Sequence, residues 1–591
     1  MARLAAAALL LAARAVAAAP LSLSNTAAAL LLAARSAAAA PLSISNVFGS
    51  AMVFQRDAPV AVWGWITPGA SIRGSLGADA AAGAADATGL WRLAFKPVAA
   101  TGAAMTLSVA APATGETLTL TGLLAGDVYF CSGQSNMEFT VNAAFNASAE
   151  IAAANDYPMI RVTSGPLQGK LNLRTLGPQP YKNRVAVDLP WSVANNASIG
   201  GVGDSGGWDY YSAACWNTLK NVADRNAAAG APVPLGGIVE CYGGAARAHP
   251  LALRQGPHAK PTPARPFPTP NPRAGTSIQW WSGPQTTAAC PTAANPGSSC
   301  CNYGGNQSCL FNAQIAPYTI GPTRVAGFLW YQGEQNAGCG GVPQLSFYAC
   351  ALPALIAEWR ALFASPAAPF GIFELAAWSA TTAAFPLLRL VQVATAAALP
   401  RVFTASTLDM GTPGGPVHSI YKQVPGQRAA RALDALVYGR ATPVLGPRAV
   451  AARAAPAPAG ADATAAVDFD AATLYGAPLA LVPEPACPLP LNNCEGFAVQ
   501  VAPSCAWVNA TAAADAAGTG LVLTLPAAAR PAGARIVAVR GYFGNWPLVS
   551  VYGVDSLPME PFLLNVTGAS NPCAPPQADA TSWVLDAAVH A

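Results

Sequence analysis

Apolar runs of strand length alternate with helical patterns between residues 126 and 444, and this alternation constrains the fold more than any other feature. The strand-like runs are DVYFC (127–131), PLGGIVEC (234–241), VAGFLWYQ (325–332), FGIFELA (370–376) and RVFTASTLD (401–409). The helical patterns occupy 212–230, 347–363 and 423–439. Continuous apolar strands separated by helices are typical of a parallel sheet that is covered on both faces. The sequence therefore predicts an α/β fold for residues 126–444.

Short β-type runs flank this region on both sides. Residues 41–125 contain runs such as VAVWGWI and WRLAF between Gly and Pro residues, and similar runs return over 445–567. We expect an amino-terminal β domain and a carboxyl-terminal β region, both sandwich-like, followed by a patternless tail at 568–591. One segment interrupts the α/β region: residues 245–275 hold eight prolines, five basic residues and no acidic residue. This composition predicts a long loop, an inserted linker or translated non-coding sequence rather than a core element.

The amino terminus and the cysteines predict an exported glycoprotein. Residues 1–40 carry an early arginine, a short apolar core and small residues before a proline, repeated in tandem as LLLAARAVAAAPLSLSN and LLLAARSAAAAPLSISN. This pattern is typical of a secretory signal, here duplicated. Thirteen dispersed cysteines predict disulfides in an oxidising compartment. Five N-x-S/T sequons add glycosylation sites, which together indicate a secreted or lysosomal protein: Asn146, Asn196, Asn306, Asn509 and Asn565.

Charge and hydropathy exclude several classes of partner. Only 10% of residues are charged, and 32 basic residues face 28 acidic ones without a run of one sign. A broad basic face for nucleic acid is therefore excluded. Past residue 50 no stretch approaches the roughly 18 apolar residues of a membrane span, so none is expected in the mature chain. Four histidines and the absence of a C-x-x-C pair argue against a zinc site, and we expect no metal or cofactor. Nothing in the sequence specifies an oligomeric state.

Two residues are candidates for nucleophilic catalysis. His418 is the one histidine of the α/β region outside the proline-rich segment, in a loop after a strand, where ligands gather in open α/β sheets. A lone histidine is more often structural, but a histidine-dependent enzyme has almost no other choice here. Ser135, in GDVYFCSGQSNMEF, follows a strand and precedes an apparent helix. This position suits either an N-cap or an exposed nucleophile, which needs a base to become reactive.

Two further strand ends carry polar or flexible groups. GFLWYQGEQNAG (327–338) ends in a turn that holds Gln332, Glu334 and Asn336. IVECYGG (238–244) ends in Gly243 and Gly244, whose N–H groups approach a ligand closely because no side chain intervenes. These turns offer hydrogen-bond donors and orienting groups at the same edge as the serine.

The motifs GDVYFCSGQSNM, LWYQGEQNAG and VHSIYKQ, in this order, resemble the sialate O-acetylesterase family of SGNH hydrolases. The likeness extends from about residue 46 to 564 and includes YYSAACW, ALPALIAEWR and VRGYFGNWP. It implies an SGNH-type three-layer α/β/α catalytic domain with a parallel sheet. It also implies Ser135 as nucleophile and His418 as base, with the oxyanion held by Ser135 N–H, Gly243 or Gly244, and Asn336.

The chain departs from the family pattern at three points. Many relatives carry an acid three residues before the histidine, where this chain has Gly415. Asp409, at the preceding strand end, is the nearest substitute for the triad acid, and a Ser-His dyad assisted by a backbone carbonyl is the alternative. The proline that usually follows the histidine is Ser419 here, and Gln279 replaces a glutamate of the family pattern. The proline-rich segment separates the glycine pair from that glutamine.

The resemblance implies a carboxylic ester hydrolase that removes O-acetyl groups from sialic acids through a serine acyl-enzyme. We expect the acetylated sugar to contact Gln134, Gln332, Glu334 and Trp281. Two alternatives stay open: an acetylesterase acting on polysaccharide, and a glycan-binding pseudoenzyme in which the proline-rich segment has abolished catalysis.

Overall fold

The computed structural model describes residues 40–166, 171, 176–201, 210–243, 275–290, 307–338, 342–379, 384–413, 415–488, 494–568 and 570–573. Residues 1–39 of the predicted signal region, residues 244–274 of the glycine pair and the proline-rich segment, and residues 574–591 of the tail lie outside this description. The sequons at four of the five predicted positions are described and exposed: Asn146, Asn196, Asn509 and Asn565.

The amino-terminal part is made of β-strands whose side chains alternate between core and solvent. In LWRLAF (90–95), for example, Trp91, Leu93 and Phe95 are buried whereas Arg92 and Ala94 are exposed, the period-2 pattern of a half-buried strand. The strands are β1 (Ser43–Ile44), β2 (Val53–Gln55), β3 (Val60–Trp65), β4 (Ser71–Leu76), β5 (Asp79–Ala84), β6 (Leu90–Phe95), β7 (Thr101–Ala111) and β8 (Glu116–Gly133). Except for β2, which runs parallel to β8, they pair antiparallel: β3 with β1 and β6, β4 with β5 and β7, and β7 with β8.

Strand β8 connects this part to the central sheet. Its first half pairs with β7, and its second half, DVYFCSG, pairs in parallel with two later strands. One continuous strand thus runs through the predicted domain boundary at residue 125, so the amino-terminal strands are held rigidly against the strand that leads to Ser135.

The central part contains the predicted alternation of strands and helices. Its helices are α1 (Ser135–Glu138), α2 (Ala147–Ala153), α3 (Asn196–Gly200), α4 (Ala213–Ala228), α5 (Pro284–Ala289), α6 (Glu334–Gly338), α7 (Val342–Leu362), α8 (Ala384–Ala398) and α9 (Gln423–Tyr438). Its strands are β9 (Ile160–Ser164), β10 (Leu189–Val193), β11 (Leu235–Cys241), β12 (Gly327–Tyr331), β13 (Phe370–Phe373) and β14 (Val402–Ala405). Short 3-10 turns at Val141–Ala143, Ala154–Asp156, Ile278–Trp280 and Ala316–Tyr318 and a π turn at Phe311–Ile315 complete it.

The central strands lie in the order β10-β9-β11-β8-β12-β13-β14. All neighbours are parallel except β10, which pairs antiparallel with β9 at one edge. The α/β prediction is confirmed, and each of the five predicted strands is present. The register aligns the last residues of three strands, Cys241, Gly133 and Tyr331, so the loops that follow them lie side by side.

Helices cover both faces of this sheet. On one face Phe130 and Phe328 pack in a core with Trp359 of α7 and Leu388 of α8. On the other face, the strand residues Tyr129 and Leu329 pack in a second core with Trp216 of α4 and Leu433 of α9. Because both faces of the strands are buried, they read as continuous apolar runs in the sequence.

The carboxyl-terminal part is again mostly β. Strands β15 (Ala449–Ala454), β16 (Ala463–Phe469), β19 (Phe497–Ala502), β20 (Ala506–Ala514), β21 (Leu521–Leu525), β22 (Arg535–Gly541) and β25 (Phe562–Asn565) form an antiparallel sheet in the order β15-β16-β21-β20-β19-β22-β25. Two-residue strands complete this part: β17 (Ala480–Leu481), β18 (Cys494–Glu495), β23 (Trp546–Pro547) and β24 (Val551–Tyr552). It also contains a short helix, α10 (Ala471–Leu474), and two 3-10 turns at Ala527–Ala529 and Val554–Ser556. Its own core includes Leu521, Leu523 and Val539.

Four disulfides confirm the prediction of disulfide bonds, whereas Cys241 and Cys309 are free. The disulfides are Cys131–Cys215, Cys290–Cys350, Cys487–Cys494 and Cys505–Cys573. The first disulfide joins β8 to α4, and its cysteine on β8 lies four residues before Ser135. Within the described ranges, no helix combines the length and apolar character needed to cross a bilayer.

Candidate active site

Ser135 is the first residue of α1, directly after the sharp turn that ends β8. Gly133 has a φ of 140°, a conformation that side chains rarely adopt, and a Cβ there would lie 2.2 Å from the carbonyl oxygen of Tyr331. Gln134 N–H donates to the same carbonyl at 3.0 Å. Because Gly133 can adopt this conformation, the chain turns sharply after β8. The turn places Ser135 at the carboxyl edge of the sheet.

The structure brings His418 to Ser135. The Nε2 atom of His418 lies 2.8 Å from Oγ of Ser135, although the two residues are 283 positions apart. Burial, and secondly the positive charge of Lys422, lower the pKa of His418 to about 3. The imidazole is therefore neutral at pH 7 and able to accept the serine proton.

Asp409 lies elsewhere. Its two carboxylate oxygens accept hydrogen bonds of 2.7 Å each from the guanidinium of Arg428 on α9, and the two side chains are 13% and 9% exposed. The geometry is the bidentate pairing that planar guanidinium and carboxylate groups favour. In this structure the predicted triad acid is thus engaged with Arg428, and its role toward His418 stays a prediction.

Gly243 contacts the serine loop from the neighbouring strand. A Cβ at position 243 would lie 2.9 Å from Cβ of Ser135, so only glycine fits. Its N–H, however, donates to Oε2 of Glu138 at 2.6 Å. The predicted oxyanion donor is therefore close to the serine but engaged with a carboxylate that sequence reasoning missed. Glu138 stands three residues after Ser135 in GQSNMEF, and that position was its only signal. Gly244 lies outside the described residues.

The predicted amide residues form one buried network. Gln332 Nε2 donates to Oε1 of Gln134 at 3.1 Å and to Oδ1 of Asn336 at 2.8 Å. Asn336 Oδ1 also accepts from the N–H of Ile278, and its Nδ2 donates to Oε1 of Gln279 at 3.0 Å. Gln279, the residue that replaces the glutamate of the family pattern, thus orients the amide of Asn336. The network fixes the ends of three loops relative to one another.

Asn136 joins the serine loop to the histidine loop. Its Nδ2 donates to Oε1 of Glu334 at 2.6 Å and to the carbonyl of Val417 at 3.1 Å. Its Oδ1 accepts from Nζ of Lys422 at 2.6 Å. One amide therefore connects the residue after Ser135 to the residue before His418. Both Asn136 and Lys422 lie inside the quoted motifs GQSNM and VHSIYKQ, although sequence reasoning gave them no role.

Lys422 is a buried cation beside the base. Burial lowers its pKa to about 7, and the carboxylate of Glu334 acts in the opposite direction. Its Nζ also lies 4.8 Å from the ring centre of Tyr331 and 5.1 Å from that of Phe139, within the range of cation–π contacts. Burial raises the pKa of Glu334 above that of an ordinary glutamate. Asn136 lies between the two groups and forms a hydrogen bond with each of them.

Trp281 does not offer a face to a sugar. Its side chain is fully buried, its Nε1 donates to Oγ1 of Thr276 at 3.1 Å, and its ring meets Trp330 edge-on at 5.9 Å. This indole packs in the core beside the network of amides, and the predicted contact of Trp281 with the sugar stays a prediction.

Comparison with known proteins agrees with the motifs. No family model matches the chain. A human protein named sialate O-acetylesterase is 28% identical over 413 residues, which is 65% of this chain and 68% of that protein. A mouse protein of the same name is 26% identical over 431 residues, 64% of this chain and 70% of that one. The crystal structure of XAC1771, described as a novel carbohydrate acetylesterase from Xanthomonas citri, is 26% identical. It superposes with a TM-score of 0.66 over 88% of this chain and 99% of that one. These similarities agree with the resemblance that the motifs carry.

Proposed function

We propose that this chain, which is similar to sialate O-acetylesterases and to a carbohydrate acetylesterase, is a serine esterase that hydrolyses O-acetyl esters of sialic acids. The observation that carries the mechanism is the 2.8 Å contact between Oγ of Ser135 and Nε2 of a neutral, half-buried His418. A nucleophile and its base within hydrogen-bond reach are the signature of covalent acyl transfer. That pairing argues against a pseudoenzyme.

The reaction proceeds in two halves. Oγ of Ser135 attacks the acetyl carbonyl while His418 Nε2 accepts the hydroxyl proton, and a tetrahedral oxyanion forms. The oxyanion collapses, the C–O bond to the sugar breaks, and His418 gives the proton to the departing sugar oxygen. A water molecule then attacks the acetyl-enzyme with His418 as base. Release of acetate regenerates Ser135.

The oxyanion needs donors at the serine loop. We assign the N–H of Ser135 and Nδ2 of Asn336, one of whose hydrogens is bound to Gln279. Gly243 joins them only when its N–H leaves Glu138, because one N–H does not serve both acceptors well. Gly244 keeps its proposed role as the alternative donor of this pair.

Asn136 helps to position the histidine loop, a role that the orienting acid has in a catalytic triad. With Asp409 held by Arg428, the position of the histidine loop depends on the hydrogen bond from Asn136 to the Val417 carbonyl. Lys422 and Glu334 bind the other ends of the same amide, so its rotation is restricted on both sides. The arrangement supports a Ser-His dyad as the reacting unit, the alternative that the motif departures left open.

The fold supports a wider assignment. We propose SGNH-type α/β/α layering for residues 126–444, with a β domain at 41–125 and a sandwich-like β region at 445–567. A parallel sheet with packed helices on both faces supports the layering. Four disulfides and four exposed sequons support export to the cell exterior or the lysosome, with residues 1–40 as signal.

One alternative substrate has an observation in its favour. The crystal structure described as a carbohydrate acetylesterase from Xanthomonas citri superposes on 88% of this chain with a TM-score of 0.66. Acetylated polysaccharide is therefore the second candidate substrate, with the same chemistry at Ser135.

The test compares both substrates with one knockout. Acetate release is measured from an O-acetylated sialyllactose and from acetylated xylan, using the parent protein and Ser135→Ala. We expect faster release from the sialoside and a loss of several orders of magnitude in the variant. Circular dichroism confirms that the variant is folded. A parent protein that releases no acetate from either ester, or a variant within tenfold of the parent, would refute the proposal; faster release from xylan would favour the second substrate.

A further inference from the structure

Three aromatic side chains are exposed in the part of the chain that the structure describes, and two of them contact each other. Phe145 is 53% exposed and Tyr421 37% exposed, and their ring centroids lie 5.4 Å apart at an interplanar angle of 45°. The third, Tyr475, is 41% exposed and belongs to the carboxyl-terminal part. A contiguous exposed apolar patch is unusual on a soluble protein and marks a binding surface more often than a lone exposed ring does.

The pair lies beside the proposed base. Tyr421 follows His418 by three residues, so their Cα atoms lie within about 11 Å of each other. Phe145 N–H donates to the carbonyl of Ile420 at 2.8 Å, and the side chain of Gln423 donates to the carbonyl of Phe145. These bonds attach the segment that carries Phe145 to the histidine loop. Both rings therefore keep a fixed position relative to the Ser135–His418 pair.

We infer that Phe145 and Tyr421 form an aromatic platform that binds a pyranose ring of the acetylated glycan. This inference rests on the proposed esterase function and names the contact that selects the sugar. One face of a pyranose exposes C–H groups, and such a face packs on aromatic rings whereas its hydroxyls remain hydrated. The amides and carboxylate predicted to bind the sugar are buried in mutual hydrogen bonds, so they offer it no comparable surface.

The platform predicts a selective effect on glycan esters. Each ring should contribute about threefold to tenfold in affinity, the range of measured aromatic contacts. A small ester such as ethyl acetate has no pyranose face that could pack on the rings. The ratio of kcat/KM for O-acetylated sialyllactose to kcat/KM for ethyl acetate should therefore fall by at least threefold in Phe145→Ala and in Tyr421→Ala.

Binding gives a test that does not depend on turnover. In a Ser135→Ala background, calorimetry with O-acetylated sialyllactose should show Kd rising threefold to tenfold for each ring removed. Tyr421→Phe keeps the ring and should keep the affinity. Tyr475→Ala removes an equally exposed ring far along the chain and serves as the matched control. A parent that binds the glycan but does not hydrolyse it would refute the esterase and still support the platform.

Three results would overturn the platform. In the first, the ring variants lower kcat/KM equally for both esters, which means that they disturb the histidine loop. In the second, the effect on Kd disappears when Asn146, the exposed sequon next to Phe145, is changed to Gln. The rings would then pack against a glycan attached to the protein itself. Unchanged Kd and ratio in both ring variants would equally refute the inference.

Discussion

The position of Asp409 leads to a prediction that separates stability from catalysis. Asp409→Asn removes one charge of a mostly buried bidentate pair with Arg428, in which both hydrogen bonds are 2.7 Å long. Hydrogen bonds to charged groups contribute about 1.5–3 kcal/mol each, and breaking a buried pair costs about 3–5 kcal/mol. Because the amide oxygen still accepts one hydrogen bond, we expect the free energy of unfolding to fall by about 2–4 kcal/mol.

The same change should leave turnover within about tenfold of the parent. Replacing the acid of a working Ser-His-Asp triad lowers kcat by about 10⁴-fold, but Asp409 contacts Arg428 rather than His418. Denaturant unfolding measures the stability, and acetate release is measured where both proteins are folded. Asp434→Asn is the matched control, since Asp434 is buried on the same helix α9 as Arg428 and pairs with Arg225 at 3.0 Å.

Opposite outcomes would refute the argument. A folded Asp409→Asn protein that loses about 10⁴ in kcat, while Asp434→Asn keeps its rate, would show that Asp409 orients His418 during turnover. Unchanged stability would show that the pair with Arg428 contributes nothing net, as many partly hydrated ion pairs do.

Three further predictions concern the groups around the base. Because the pKa of His418 is lowered to about 3, kcat/KM for ethyl acetate should change less than about threefold between pH 7 and pH 5; a half-maximal loss near pH 6.5, the ordinary histidine value, would contradict this. Lys422→Met removes the positive charge that lowers the pKa of His418, so the acid limb of the pH–rate profile should move to higher pH, and an unmoved limb would mean that the charge does not act on the base. Asn136→Ala frees the Val417 carbonyl and should lower kcat by about 10²-fold with little change in KM, as a displacement of about 1 Å does; a rise in KM alone would instead indicate a substrate contact.

The central fold could be predicted because strands that are buried on both faces appear in the sequence as apolar runs. The strands β11, β12, β13 and β14 and the second half of β8 are mostly apolar, and each was found from the sequence. The strand β9, IRVTS, and the edge strand β10, LPWSV, carry charged or hydroxyl side chains and were missed. Helix α8, AFPLLRLVQVATAAA, was also missed.

The candidate site was only partly predictable for a related reason. Strand register alone places the loops after Cys241, Gly133 and Tyr331 together, so chemistry-bearing residues at strand ends could be grouped from the sequence. The partner of a polar side chain depends on loop paths that no periodicity encodes. Asp409 was therefore assigned to the histidine by closeness in sequence, although an arginine one helix later holds it.

The charge next to the base has a consequence for where the enzyme works. A triad carboxylate raises the pKa of its histidine, whereas burial, and secondly the charge of Lys422, lower that of His418, which makes the resting imidazole a weak base. Proton transfer from Ser135 then depends on the transition state, in which the negative oxyanion forms beside the new imidazolium and stabilises it. Because its pKa is low, His418 stays unprotonated at pH values where an ordinary histidine is mostly charged. A base of this kind remains active in an acidic compartment, which agrees with the proposed export to the lysosome.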